Sequence, residues 1–194
     1  MTKRVNLVRL KEVLSPISRR EGVDPEAEYR ILGAHWYAQG LYTKALVKGA
    51  EIRAASVYRV EVGDFVYNRL FAWKGSFALA VQENHDCYVS NEFPCFTVNE
   101  DLVYGPYLWR YFSRPQTWAE ALQLSSGGTP TSRNRLKEEK FLSLSIPLPP
   151  VAEQKRIVDL LDRIDSARAL HEEIGRGLED LTHSILERAF KGQL

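Results

Sequence analysis

Cysteine is scarce. Only Cys87 and Cys95 occur in 194 residues, both in apolar or aromatic surroundings, without CxxC spacing and without a histidine cluster nearby. Buried thiols are expected, with no disulfide framework and no metal. Long hydrophobic runs are also lacking: nothing approaches the ~20 apolar residues that span a bilayer. The start, Met1-Thr2-Lys3-Arg4-Val5-Asn6, leads into an alternating segment without an apolar signal core, so a cytoplasmic chain is expected. Charge of one sign does not dominate either, since 26 Lys and Arg against 25 Asp and Glu leave a net +1. Composition alone therefore does not announce a polyanion as partner. The balance is uneven, however: from Val151 onward there are seven basic and nine acidic residues, which leaves +3 for residues 1–150.

Signatures of catalysis are missing as well. The sequence has no Walker lysine motif and no glycine-rich methyl-donor site with an Asn/Asp-Pro-Pro-Tyr/Phe loop. Glu138-Glu139-Lys140 lacks the Pro-Asp strand that precedes the acidic-x-Lys pattern of metal nucleases, and reads as a solvated charge run.

A hydrophobic content of 44% with 26% charge belongs to a chain that can build a core. Residues 5–148 show short alternating runs rich in β-branched and aromatic residues: Ser56–Val60, Asp64–Tyr67 and Ser76–Val81. Turns are supplied by Gly63-Asp64 and by Glu83–Asp86. Helical spacing is expected at Leu10–Ser18 and at Leu102–Leu124, the latter broken in two by Pro115. In Ile146-Pro147-Leu148-Pro149-Pro150, three prolines in four positions exclude a continuing helix or a central strand, and end the domain. Residues 151–191 contain no proline and keep a helical period, so a helix of ~40 residues would extend ~60 Å at 1.5 Å per residue.

A heptad register fits that stretch. One core position takes Ile157, Ile164, His171, Leu178 and Ile185; the other takes Leu160, Ala167, Ile174, Leu181 and Arg188. Eight of these ten are apolar, which favours a coiled-coil seam that needs a partner helix. His171 reads as a register-setting polar residue rather than a metal ligand. Gly175 and Gly177 suggest a local break, a helical hairpin or the close approach of another backbone. The fold class is thus α+β: a strand-rich domain at 1–148, then a long C-terminal coiled-coil helix at 149–194.

The passage Ser143-Leu144-Ser145-Ile146-Pro147-Leu148-Pro149-Pro150-Val151-Ala152-Glu153-Gln154-Lys155-Arg156-Ile157-Val158 resembles the junction in specificity subunits of type I restriction-modification systems. There, such a segment leads from a target recognition domain into a spacer helix. Three further pieces follow in the family's order: Gly63-Asp64-Phe65-Val66 with Asn68-Arg69-Leu70 and Gly75; Ser125-Ser126-Gly127-Gly128-Thr129 before Arg133-Asn134-Arg135-Leu136; and Ala189-Phe190-Lys191-Gly192-Gln193-Leu194. The family's usual member has two recognition domains and two spacer helices, whereas this sequence has one of each and no internal repeat. The initiating methionine and family-like end suggest a complete half-length subunit.

The resemblance implies a non-catalytic subunit that recognises a sequence in double-stranded DNA and directs a methyltransferase (modification) subunit and a restriction subunit to it. No cofactor is expected in this chain; S-adenosylmethionine, ATP and Mg would be held by the partners. An antiparallel homodimer through residues Ile157 to Ile185 of the seam would place two recognition domains for a bipartite palindromic site, with helix length setting the gap. The alternative is a regulatory protein that pairs with a specificity or modification subunit without reading DNA.

Base reading needs donors and acceptors at base edges, whereas Lys and Arg on phosphates supply sequence-independent affinity. In Gly33–Lys44, the residues His35, Gln39, Tyr42 and Lys44 are candidates on a glycine-bounded loop; a hydrophobic loop folded on the core is the other reading. Asn68, Arg69 and Lys74 offer an amide and two cations near a turn, with pairing to surface carboxylates as the alternative. Gly127, Gly128 and Thr129 could bring backbone amides to a phosphate, and Arg133, Arg135 and Lys137 follow at once. Arg53 is either a phosphate contact or a solvated side chain.

Overall fold

The computed structural model describes residues 6–127 and 134–193. The chain divides between Gln154 and Lys155 into two compact units. Among the described residues, the first contains eleven short strands in three sheets and three short α-helices, and it also holds the first turn of a fourth, long helix.

The strands are β1 Leu7–Arg9, β2 Leu14–Ile17, β3 Arg20–Gly22, β4 Glu28–Ala34, β5 Leu41–Lys48, β6 Ser56–Val60, β7 Phe65–Tyr67, β8 Phe77–Leu79, β9 Cys87–Val89, β10 Cys95–Val98 and β11 Ser145–Pro147. The helices are α1 Gly105–Phe112, α2 Pro115–Leu124, α3 Glu138–Leu142 and α4 Val151–Phe190. A five-stranded sheet has the order β3-β6-β9-β4-β5, a four-stranded sheet β2-β10-β7-β8, and β1 pairs with β11. All pairings are antiparallel except β4 with β9.

Alternation decides which faces are buried. Phe65 and Tyr67 of β7, Phe77 of β8 and Phe96 of β10 are fully buried and meet Phe112 of α1 and Phe141 of α3. Ring centroids in this cluster lie 4.6 to 6.4 Å apart, the range in which aromatic pairs gain beyond their buried area. The Tyr67 hydroxyl donates to the Leu136 carbonyl at 3.0 Å, so the one polar atom the cluster buries is satisfied. A second core under the five-stranded sheet contains Leu32, Val60, Val66, Cys87, Val89 and Cys95. Both cysteines are buried and free.

Pro115 separates two helices and opens the second, where its missing N–H costs nothing. The helix expected at Leu10–Ser18 is not formed. A single 3-10 turn at Leu10–Glu12 gives way to β2, with Ser15 opposite Thr97 of β10. Pro16 forbids a helical hydrogen bond at its nitrogen but is tolerated in β2, which is an edge strand. The apolar spacing of Leu10, Val13 and Leu14 still buries all three.

Within the first unit, the turn that opens α4 is tied down by a buried amide. Gln154 Nε2 donates to the carbonyls of Leu102 (2.9 Å) and Pro149 (2.8 Å), while its Oε1 accepts from the Tyr104 N–H at 2.8 Å. The side chain is completely buried.

The second unit is helix alone. α4 runs unbroken through Gly175 and Gly177, so neither the break nor the hairpin occurs. A Cβ added at either glycine would meet nothing within 4 Å in this chain. Leu160, Ile164, Ile174, Leu178, Leu181 and Ile185 are between 44% and 60% exposed, Ala167 and His171 are exposed beside them, and Ile157 is part-buried. Leu161, Leu170 and Leu186 widen the apolar face. Ion pairs such as Asp159–Arg163 (3.1 Å) and Glu187–Lys191 (2.5 Å) lie along the helix, the i,i+4 spacing that supports a solvated face.

Candidate nucleic-acid interface

Residues 33–44, expected as an irregular loop, form a β-hairpin. β4 ends at Ala34, residues 35–40 make the turn, and Tyr42 and Lys44 lie on β5. The pairing of Gly33 with Tyr42 and Ala34 with Leu41 is invisible to local propensity. His35 N–H closes the turn on the Gly40 carbonyl at 3.0 Å.

The turn is strained and then anchored. Tyr37 and Ala38 have φ of 60° and 52°, and Gly40 has φ of 87°. Left-handed backbone at a non-glycine residue costs about 1–3 kcal/mol and persists only where surroundings over-determine it. Here the Tyr37 N–H donates to Lys74 O at 2.8 Å and the Ala38 N–H to Gly75 O at 2.6 Å, with the Ala38 side chain buried. The anchor is the 3-10 turn Ala72–Lys74 and its left-handed cap Gly75, which packs on Trp118 of α2.

This clamp presents aromatic side chains outward. Gly33 lets the Tyr42 ring cross β4, because a Cβ there would come within 2.6 Å of the ring. Tyr42 lies against His35 with centroids 4.3 Å apart and the rings tilted by 31°. Trp36 lies 5.8 Å from Phe71, and the Lys74 ammonium sits 3.6 Å above the Trp36 ring and 5.1 Å from that of Trp73. His35, Trp36, Tyr42 and Phe71, with Gln39, Lys44, Asn68, Ser90 and Phe93, line an open cavity of about 580 Å³.

The cavity thus gathers five predicted residues from three segments: His35, Gln39, Tyr42, Lys44 and Asn68. Asn68 Oδ1 accepts from the Leu70 N–H at 2.9 Å, so the NH₂ is what its amide can offer a ligand. Lys74 borders the cavity through Trp36. Trp36, Phe71, Ser90 and Phe93 escaped sequence reasoning. The first two stand in two separate aromatic, glycine-punctuated stretches that could have flagged them, whereas Ser90 and Phe93 arrive from a distant turn.

Arg69 belongs to a neighbouring network. Its Nε donates to Glu138 Oε2 at 3.1 Å, its Nη2 pairs with Glu138 Oε1, and its Nη1 donates to the Asn91 carbonyl. Arg135 bridges in backbone to Ser126 and pairs with Glu92 at 3.0 Å. Arg69 also faces a second cavity of about 430 Å³, whose lining includes Arg19, Arg59 and Phe93, so Phe93 is common to both cavities. Arg19 is held by buried Asp64 (2.5 Å) and by Glu61 (3.1 Å), and Arg59 by Glu21 (2.8 Å) and Asp86 (3.1 Å). The basic groups of the second cavity are therefore largely neutralised in the chain as it stands.

Glu138 shows the outcome of that pairing. Burial pushes its carboxyl up, but the Arg69 hydrogen bond and charge outweigh it, and the group sits below the ordinary value. Lys137 is exposed at the start of α3, Gly127 is exposed beside the Ser126–Arg135 bridge, and Arg53 is exposed beyond the turn Gly49–Glu51. Gly128, Thr129 and Arg133 lie outside the described residues. Among the described residues no group of three His, Cys, Asp or Glu side chains could hold a metal ion, and no helix is long and apolar enough to cross a membrane.

Comparison with known proteins agrees with this architecture. A 99-residue stretch, 49% of this chain and 21% of the relative, is 29% identical to the type I restriction enzyme EcoKI specificity subunit of Escherichia coli (strain K12). The HsdS subunit from Thermoanaerobacter tengcongensis superposes with a TM-score of 0.71 at 21% identity, covering 93% of this chain and 48% of that one. A chain from a structural study of complex assembly and conformational transition in the type I R-M system gives 0.63 at 23% identity, covering 100% and 47%. The S subunit of such a system from M. genitalium gives 0.54 at 12% identity, covering 86% and 41%. At these identities the likeness is one of fold, and this chain spans about half the length of the solved relatives. The family model for the type I restriction modification DNA specificity domain matches residues 47–180, more than half of the sequence, and to that family this chain belongs.

Proposed function

We propose that this chain reads a specific sequence in double-stranded DNA and delivers partner methyltransferase (modification) and restriction subunits to it, without catalysing either reaction. The recognition domain comprises residues 1–148, and residues 149–194 carry the helix α4, which pairs antiparallel with a second copy. The homodimer presents two identical readers to a bipartite palindromic site. S-adenosylmethionine, ATP and Mg belong to the partners.

The observation that carries this reading is the exposed apolar seam of α4. Six leucine and isoleucine side chains at heptad spacing stand half in water along one helix. Such a contiguous apolar stripe marks an interface, and a two-fold axis satisfies two identical stripes at once. The strained hairpin and its cavity, with cations, amides and aromatic rings brought together, supply the chemistry of base reading in the other unit. Lys137, Arg53 and Gly127 are exposed and suit phosphate contacts.

The test is methylation by this chain mixed with its modification subunit, mapped by modified-base sequencing, with the solution mass of the chain measured alongside. A dimeric mass with methylated inverted half-sites at a fixed gap is expected. A monomer that supports no sequence-specific methylation would overturn the proposal.

A further inference from the structure

We infer that the hairpin cavity is a receptor for a single nucleobase turned out of the duplex, and not only a surface that touches base edges in a groove. The inference deepens the DNA-reading proposal and rests on it.

Three observations converge. The cavity is a concave space of about 580 Å³, much larger than groove contact by one side chain requires and sufficient for a base with its sugar. Its walls are aromatic: the close, tilted His35–Tyr42 pair, the Trp36–Phe71 pair and Phe93 all line it. Every base has a π-face, so such walls reward an unstacked base whatever its identity. Polar groups that could sort bases share the same space, namely the Gln39 amide, the Asn68 NH₂ and the Ser90 hydroxyl, and Lys44 could meet the attached phosphate. A receptor for a flat ring with hydrogen-bonding edges needs these two kinds of group together.

The build of the walls points the same way. Two consecutive left-handed non-glycine residues, held by hydrogen bonds to Lys74 and Gly75, fix the turn before any ligand arrives. Lys74 over Trp36 positions that ring by cation–π attraction. Strain anchored this firmly is a feature of ligand clamps, and a preorganised slot loses less ordering entropy on capture.

The experiment uses the full chain without the modification subunit, so that base extrusion by the methyltransferase cannot contribute. On the half-site found by methylation mapping, each nucleotide of both strands is replaced in turn by an abasic residue, and duplex affinity is measured. Removing the partner of a captured base abolishes the cost of unpairing, so binding tightens by about tenfold or more at one position. Removing the captured base itself at that pair weakens binding. Trp36→Ala and His35→Ala, both at exposed positions on the turn, erase the gain while binding to the intact duplex persists at reduced strength.

Equal tightening from either strand would mean that the protein exploits a flexible joint and captures no base, and would overturn the inference. So would specific binding to intact duplex with no abasic position that tightens it, in which case DNA reading stands and the cavity is an ordinary groove contact. Absence of any sequence-specific binding would instead remove the DNA-reading proposal and this inference with it.

Discussion

Gln154 provides the sharpest test of how the recognition unit is held together. Its buried amide satisfies two carbonyls and one N–H from Leu102, Pro149 and Tyr104. Gln154→Leu keeps the volume and removes all three partners. An orphaned buried backbone group costs roughly 1–3 kcal/mol; with partial relief from relaxation and water, the loss should total about 3 kcal/mol. Urea unfolding followed by tryptophan fluorescence reports the right unit, since Trp36, Trp73, Trp109 and Trp118 all precede Gln154. With an m of roughly 2 kcal/mol per molar, the midpoint should fall by about 1.5 M with m unchanged. Gln154→Glu adds a directional check. Its carboxylate still accepts from Tyr104 but faces two carbonyls, so its folded-state pKa is raised. The variant's deficit should therefore be smallest in acid, where the protonated group can donate, and grow as pH rises. A Gln154→Leu midpoint within about 0.3 M of the parent would refute the idea that this amide ties the first unit together.

Other consequences are equally measurable. Because Glu138 is held below its ordinary carboxyl value of 4.5 by Arg69, it contributes stability above the unfolded pKa that is lost as pH falls through the folded one. The gap in unfolding midpoint between the parent and Glu138→Gln should accordingly close in acid and be fully open at neutral pH. Leu178→Asp in the seam should halve the solution mass and abolish paired half-site methylation, while the tryptophan-monitored melt of the recognition unit is unmoved. Gly33→Ala pushes a Cβ into the Tyr42 ring; half-site affinity should drop by about tenfold, one stacking interaction's worth, with little change in unfolding midpoint. Gly175→Ala and Gly177→Ala meet open space in the single chain and should each stabilise α4 by up to ~1 kcal/mol in circular dichroism melts. Weaker self-association in those variants would instead show that a partner backbone packs on the glycines.

What could be read from the sequence was whatever depends on period. The absence of proline after Pro150 and the heptads from Ile157 to Ile185 predicted a helix of about 40 residues, and α4 has 40. Alternation found β6 and β7, and Pro115 found the boundary between α1 and α2. Spacing failed where two structures share one pattern: Leu10, Val13 and Leu14 suit a helix, but pairing with β10, 82 residues away, made the segment a strand. Candidate site residues were found by type and not by partner. His35, Gln39, Tyr42, Lys44 and Asn68 do share a cavity, yet the Arg69–Glu138 pair spans 69 residues and has no local signature. The same holds for Phe93, which reaches the cavity from the turn before β10.

The two thiols give the chain an unusual kind of silence. Cys87 is 1% exposed and Cys95 6%, and burial, reinforced by Asp64, pushes the Cys95 thiol up to about 12, so it offers oxidants and alkylating reagents almost no thiolate. Any cysteine introduced on α4 would consequently be the reactive thiol of the folded protein, with no native residue to replace first. A series of single cysteines at the seam positions Ile164, His171 and Leu178, oxidised without denaturant, would then act as a vernier. The position that cross-links to itself marks where a two-fold axis crosses the helix, and with it the register of the pair.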